Sequence, residues 1–283
     1  MDQRSAAPVD PLPPSLGGRV ERLHRVVAGM DGVVVAFSGG VDSALVAAVA
    51  ARALPRRHLA VTAVSPSLPP GELAAARALA RRLGIRHRTV RTREVELEAY
   101  RANGPDRCFH CKTELYGVLV RVAREEGLSV VASGANLDDL GDVRPGLRAA
   151  GDHGVRHPLV EAGFTKQDVR EAARALGVPV WDKPSSACLS SRISYGVRIS
   201  VEELSRVGRA ERLLKDLGFR QVRVRVHGDL ARVEVELPDL PRLARPGVRE
   251  RVVEGLRGLG YGYVTLDLEG FRSGSMNPPR DGP

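Results

Sequence analysis

At 283 residues, 43% hydrophobic and 27% charged, the chain is long enough for one large domain or two modest ones with buried cores. No run approaches the roughly 20 apolar residues of a membrane span, and the start MDQRSAAPVDPLPPSLGG lacks the basic and apolar stretches of a signal peptide. Residues 1–18 read as a disordered leader, and a soluble cytoplasmic protein is expected. The net charge of +9 suits nucleic acid, but only four of the basic residues are Lys and 39 are Arg, which marks a compositional bias rather than a binding surface. A nucleic-acid partner is therefore not expected. Three cysteines, Cys108, Cys111 and Cys188, are an odd number, which argues against a disulfide framework and for reactive thiols or a metal site.

From about residue 19 to 180, apolar runs alternate with amphipathic ones. GVVVAFSGG is a short buried strand, and Ser43–Leu54 is an Ala-rich helix, apolar nearly all round. HLAVTAVS is a second strand. Gly71–Leu83 is a helix that places Leu73, Ala76, Leu79, Ala80 and Leu83 on one side and arginines on the other. IRHRTVRT is a third strand, Lys112–Glu126 a helix, LSVVASGAN a fourth strand, and Thr165–Leu176 a helix closed at Gly177. This alternation predicts an α/β fold with a doubly wound parallel sheet. After Trp181, DKPSSACLSSRISYGVRIS reads as a long functional loop. Ser200 then opens a helix with a capping box to Glu203. QVRVRVH and LARVEVEL alternate strictly around Gly228-Asp229, a hairpin signature. A helix near 246–259 and the strand YGYVTLDL complete a smaller α+β unit. The predicted division is a leader to 18, a first domain at 19–180, a cysteine-bearing loop at 181–196, a second domain at 197–276 and a tail at 277–283.

Phe37-Ser38-Gly39-Gly40-Val41-Asp42-Ser43 carries the strongest chemistry. Its glycines admit phosphate oxygens close to the backbone, and the helix that follows presents free N–H groups at its start. Ser38 and Ser43 offer hydroxyls, and Asp42 can orient Mg²⁺. The SGGVDS string between strand and helix resembles the PP-loop of the ATP pyrophosphatase superfamily. That resemblance implies ATP, cleavage between the α and β phosphates, and an adenylated intermediate. Ser133-Gly134-Ala135-Asn136 ends the fourth strand at the same sheet edge, where ligands bind in such folds. Asn136 is a candidate ATP ligand. Asp138, Asp139 and Asp142 are candidates for Mg²⁺, with a solvated acidic turn as the alternative.

Cys108 and Cys111 stand in PDRCFHCK, which suits a redox pair, half of a zinc knuckle completed by Cys188 and His110 or His153, or an iron–sulfur cluster. Three thiolates with none to spare match a [4Fe–4S] cluster that keeps one iron open. Cys188 lies in the Ser-rich loop with Arg192 four residues on, a cation expected to favour its thiolate. Lys112 and Lys183 flank these motifs in a chain that otherwise writes Arg, suggesting sites that want a compact ammonium.

The runs GANLDDLGDVRPGLRAA, WDKPSSACLSSRISYG, VRVRVHGDLARVEVE and YVTLDLEGFRSGSMN, together with the loop at 38–43, resemble the LarE family over residues 19–276. The resemblance implies an ATP-dependent sulfur transferase of nickel-pincer nucleotide cofactor synthesis. Such an enzyme adenylates a carboxylate of pyridinium-3,5-biscarboxylic acid mononucleotide and converts it to a thiocarboxylate. It implies either a sacrificial cysteine at 188 or a [4Fe–4S] cluster on Cys108, Cys111 and Cys188, and the sequence is similar to the three-cysteine kind. A homo-oligomer is expected. The rival readings are a tRNA thiolase, an amide-forming synthetase, which needs no cysteine triad, and a nucleotide-sensing module without catalysis.

The hairpin supports an anionic substrate separately. A two-residue turn sets Arg225 opposite Arg232 and Arg223 opposite Glu234, with Val222, Val224, Val226, Ala231, Val233 and Val235 on the buried face. Opposed arginines repel unless an anion lies between them. A phosphate would serve, and a solvated face balanced by Glu234 and Glu236 is the alternative. The family resemblance places Arg223, Arg225 and Glu234 at the substrate and phosphate site.

Overall fold

The structure, a computed structural model, describes residues 13–141, 145–272 and 276. It divides into two compact units. One comprises the chain up to Ser65, Gly71–Glu94 and Cys108–Ser185; the other comprises Pro66–Pro70, Val95–Arg107 and the chain from Ser186 onward.

The first unit is built on a four-stranded parallel sheet in the order β3-β2-β1-β4, with β1 Val33–Ala36, β2 His58–Val64, β3 His87–Arg91 and β4 Val130–Ala132. Its helices are α1 Pro14–Ala28, α2 Val41–Ala53, α3 Glu72–Arg82, α5 Arg107–Glu125, α6 Pro145–Asp152, α7 Pro158–Glu161 and α8 Lys166–Ala175; a short helix α4, Glu98–Arg101, lies in the second unit. The period of two in a strand sends alternate residues of β1 to opposite faces. Val33 and Val35 join a core with buried residues of α1, α2, α3, α7 and α8, while Val34 joins another with Tyr116, Leu119 and Val122 of α5 and Ala149 and Ala150 of α6. The sheet is therefore covered on both faces, as the apolar run VVV requires.

α2 is buried from Val41 through Ala50 apart from Asp42, which explains a helix with no polar side. Thr165 caps α8 by accepting the Asp168 N–H, and Gly177 ends it at φ +73°. Two boundaries differ from expectation. The leader expected to reach residue 18 stops earlier, because Pro14–Gly18 open α1 with Leu16 only 2% exposed; residues 1–12 lie outside the described residues. Helix α5 starts at Arg107 rather than Lys112, so Cys108 and Cys111 occupy its first turn.

The second unit has α9 Val201–Asp216, the hairpin β5 Val222–His227 and β6 Leu230–Val235, α10 Leu240–Ala244, α11 Val248–Gly258, and β7 Tyr263–Leu266 parallel to β6. The hairpin register is the expected one, with His227 opposite Leu230 and Gly228 at φ +67°. Leu204, Val207, Ala210 and Leu214 repeat at helical spacing and form the buried face of α9. Ser200 accepts the Glu203 N–H at 3.0 Å, but the reciprocal half of the expected capping box is absent from its cap, and the Glu203 carboxylate pairs with Arg206 of its own helix. No helix among the described residues is long and apolar enough to cross a membrane.

Candidate functional site

In the 3-2-1-4 sheet, chain order reverses between β1 and β4, so the loops after these strands open a crevice at their carboxyl ends. The loop after β1 folds on itself. The Ser38 and Ser43 hydroxyls lie 3.1 Å apart, Ser43 Oγ donates to the Gly40 carbonyl at 3.1 Å and accepts the Ser38 N–H at 3.2 Å. Gly39 has φ +74°, and a Cβ there would come 3.2 Å from Ala76 of α3. Gly134 follows β4 so closely against this loop that a Cβ would stand 2.7 Å from the Ser43 nitrogen.

Asp42 joins the two strand ends. Its carboxylate accepts from Asn136 Nδ2 at 3.1 Å and from Lys166 Nζ at 2.5 Å. Asn136 is 3% exposed and caps the turn Leu137–Asp139. Asp139 accepts the Asn136 N–H at 3.0 Å and Asp138 accepts the Lys166 N–H at 2.9 Å. These two carboxylates, expected as Mg²⁺ ligands, each give an oxygen to backbone capping; Asp142 lies outside the described residues. Lys183 also reaches the loop, with Nζ 2.8 Å from Glu72 Oε2 and 3.3 Å from the Gly39 carbonyl. Lys166 and Glu72 escaped the sequence reading as site residues. The scarcity of lysine was the signal: two of the chain's four lysines meet this loop.

In the second unit, Cys188 is half-buried and precedes the 3₁₀ turn Leu189–Arg192. Arg192 was expected as a cationic neighbour of the thiol. It is 1% exposed and grips Glu211 through two bonds of 2.7 and 3.0 Å. Its Nη1 donates to the carbonyls of Ala187 and Cys188 at 2.9 and 2.8 Å. It fixes the backbone that carries the thiol, and Glu211 offsets its charge. The far side of the loop is held by Asn103, whose Nδ2 donates to the Ser194 and Val197 carbonyls at 2.7 and 2.8 Å, and by Arg107, which donates to the Ser190 carbonyl at 3.0 Å. Tyr100, buried, bonds Ser67 at 2.6 Å and Ser190.

The arginine face of the hairpin is not solvated. Arg223, Arg225 and Glu234 are 6%, 4% and 0% exposed. Arg225 and Arg232 do stand opposite one another, but the Glu234 carboxylate lies between them, bound to Arg225 at 3.0 and 2.9 Å and to Arg232 at 3.4 Å. Of the two expectations, a ligand phosphate or a solvated face balanced by Glu234 and Glu236, the structure shows the balancing Glu234 but on a buried rather than a solvated face. Arg225 also donates to the Ser191 carbonyl at 2.9 Å, tying the hairpin to the cysteine loop. Burial, and next the nearby Arg192, push Arg223 down to about 10. Arg192, Arg223 and Arg225 are buried here together with Glu211 and Glu234.

Cys108 and Cys111, three residues apart in the first turn of α5, are not in a disulfide, the first exposed and the second half-buried. Among the described residues no three His, Cys, Asp or Glu side chains gather as a metal site requires.

A family model for NAD synthase matches residues 20–110, the segment containing the Ser38–Ser43 loop. The chain is 40% identical to the pyridinium-3,5-bisthiocarboxylic acid mononucleotide synthase of Lactiplantibacillus plantarum, over 87% of this chain and 88% of that one. The chain belongs to the LarE family. It is an ATP-dependent sulfurtransferase with a PP-loop, and its nucleotide chemistry uses ATP with Mg²⁺. An uncharacterized protein of Synechocystis is 45% identical over 93% of this chain and 98% of its own length. The tRNA-specific 2-thiouridylase of Azorhizobium caulinodans is 35% identical, over 54% of this chain and 49% of its own. A LarE-family assignment thus accounts for both units, whereas likeness to the thiouridylase stops near half of each chain.

Proposed function

We propose that this enzyme adenylates a carboxylate of pyridinium-3,5-biscarboxylic acid mononucleotide and converts it to a thiocarboxylate, a step of nickel-pincer nucleotide cofactor synthesis. The observation that carries this reading is the near full-length relation to the bisthiocarboxylic acid mononucleotide synthase. A carboxylate is a poor electrophile; joined to AMP it gains a leaving group. Ser38, Gly39, Gly40 and Ser43 hold the phosphates. Asp42, positioned by Asn136, orients Mg²⁺, and Asp138 and Asp139 keep the second strand end in place. Arg223, with Arg225 and Glu234 behind it, receives the substrate's phosphate, a reading supported by the concentration of arginine on that face.

Cys188 is the residue through which sulfur reaches the adenylate, on a loop that Arg192 stiffens. Two cysteines on one helix turn suit two ligands of a [4Fe–4S] cluster, for which Cys188 would supply the third thiolate. Such a cluster, when bound, offers an iron without a protein thiolate at which sulfide can be held. The enzyme works in the cytoplasm as a homo-oligomer.

The test is anaerobic incubation of iron-replete protein with ATP, the mononucleotide and sulfide. AMP, pyrophosphate and more than one thiocarboxylate per chain are expected, with Cys188 keeping its sulfur and Cys108→Ala abolishing iron binding. One product per chain with Cys188 converted to dehydroalanine, in protein free of iron, replaces the cluster by a sacrificial thiol. Absence of AMP removes adenylation.

A further inference from the structure

Arginine makes the ion pairs that hold this chain together, such as Arg19–Asp168, Arg192–Glu211 and Arg225–Glu234. Among the described residues two lysine pairs fall at the nucleotide loop instead, Lys166 with Asp42 of the loop and Lys183 with Glu72 beside it. Lys183 is the better placed for chemistry. Its backbone is pinned: its N–H bonds the Val180 carbonyl at 3.1 Å, and Arg170 of α8 donates to the carbonyls of Trp181 and Lys183 at 2.7 and 3.3 Å. Its side chain is a four-carbon stem, free to swing from a fixed base. Glu72 opens α3, so its position is fixed as well. The ammonium carries three donors, and Glu72 and the Gly39 carbonyl take two. An ammonium at the carbonyl of the residue that shapes a phosphate loop is within a short side-chain movement of any phosphate bound there.

We infer that Lys183 is a catalytic residue of the ATP-consuming step, its ammonium passing from Glu72 to the phosphate chain held at Gly39. This rests on the adenylation reading above. In that step a substrate carboxylate oxygen bonds to the α phosphorus, the bond from that phosphorus to the α–β bridging oxygen breaks, and its electron pair leaves with pyrophosphate. Lys183 transfers no proton. It offsets the charge that gathers on the departing pyrophosphate, while Glu72 holds the ammonium near the loop between turnovers. A compact ammonium can leave one carboxylate for a phosphate oxygen; a bidentate guanidinium binds its carboxylate too well and reaches too far.

The experiment compares wild type with Lys183→Ala, Lys183→Arg and Glu72→Gln in the full chain, each checked for an unchanged melting transition. AMP formation is measured with ATP and the mononucleotide, and ATP binding is measured separately by calorimetry. Lys183→Ala is expected to slow AMP formation about 100-fold, the scale of losing one group aimed at developing charge, while weakening ATP binding by less than tenfold. Lys183→Arg should not restore the rate. Glu72→Gln, which breaks the same ion pair but leaves the ammonium, should tighten ATP binding and form AMP far faster than Lys183→Ala. A merely structural ion pair requires Glu72→Gln and Lys183→Ala to fall together, and that result overturns the inference. So does AMP formation by Lys183→Ala at the wild-type rate. A wild-type enzyme that forms no AMP removes the adenylation reading and this inference with it, an outcome distinguishable from failure of the variant alone.

Discussion

Glu234 is fully buried, and its charge is tolerated because Arg225 binds both carboxylate oxygens and Arg232 shares one. Arg225→Ala would remove the guanidinium that binds both oxygens of that carboxylate. Breaking such a buried pair costs about 3–5 kcal/mol, so this variant should unfold at markedly lower denaturant. The opposite sign follows from the sequence alone, where two opposed arginines suggest repulsion relieved by truncation. Chemical denaturation of Arg225→Ala decides between them. Gly134 makes a second sharp case. The nearest atoms to an added Cβ are backbone atoms of Ser43 and Asp42, which cannot rotate aside. Gly134→Ala should displace the nucleotide loop, and displacement of about 1 Å costs near 100-fold in rate; AMP formation would report it.

At the scale of elements, loop and helix α2 act as one piece, because Asp42 sits in the helix's first turn with Lys166 and Asn136 on its carboxylate. Asp42→Asn removes the charge that pairs Lys166 and orients Mg²⁺ but keeps the shape. It should cut AMP formation sharply while the melting temperature changes little, since the Asp42 side chain is 23% exposed. Elements of this kind were legible in the sequence. VVV at β1, the all-round apolar α2 and the alternation on either side of Gly228-Asp229 are local patterns, and each describes which face is buried. The nucleotide loop was legible for the same reason. What could not be read depends on partners far along the chain. Arg192 looks like a cation beside a thiol until Glu211 is placed against it, 19 residues on. What covers the arginine face of the hairpin stays open in the sequence because strand alternation assigns one face to the core and is silent on the other. Arg107, the first residue of α5, bonds Ser190, 83 residues away, a partner that no local pattern reveals.

For the whole molecule, imidazoles contribute to the acid limit of stability: burial lowers His87, His157 and His227, and the first two are the more informative. Burial is the leading cause that lowers His157 and His87 below the ordinary 6.5; Arg77 adds to it at His87, whereas Glu161 and Asp139 oppose it at His157. Each donates or accepts one hydrogen bond while neutral, His157 with Ser133 at 2.7 Å and His87 with Thr62 at 2.8 Å. The unfolded chain binds protons at these sites before the folded one does, so stability falls as pH drops below about 6.5 and is regained above it. Urea midpoints at roughly pH 7.5 and 5.5 should differ, and His157→Asn should narrow the difference. Asn103 gives the molecule a further property, one of time. It is the one non-glycine among the described residues with positive φ, at 56°, and it is fully buried against the carbonyls of Ser194 and Val197. Those carbonyls lie 91 and 94 residues downstream. A ribosome adding about 5–20 residues per second needs roughly 5–20 s to deliver them. Throughout that interval the strip Val95–Arg107 is already made yet has no loop to hold, so the second unit completes only when the last third of the chain arrives.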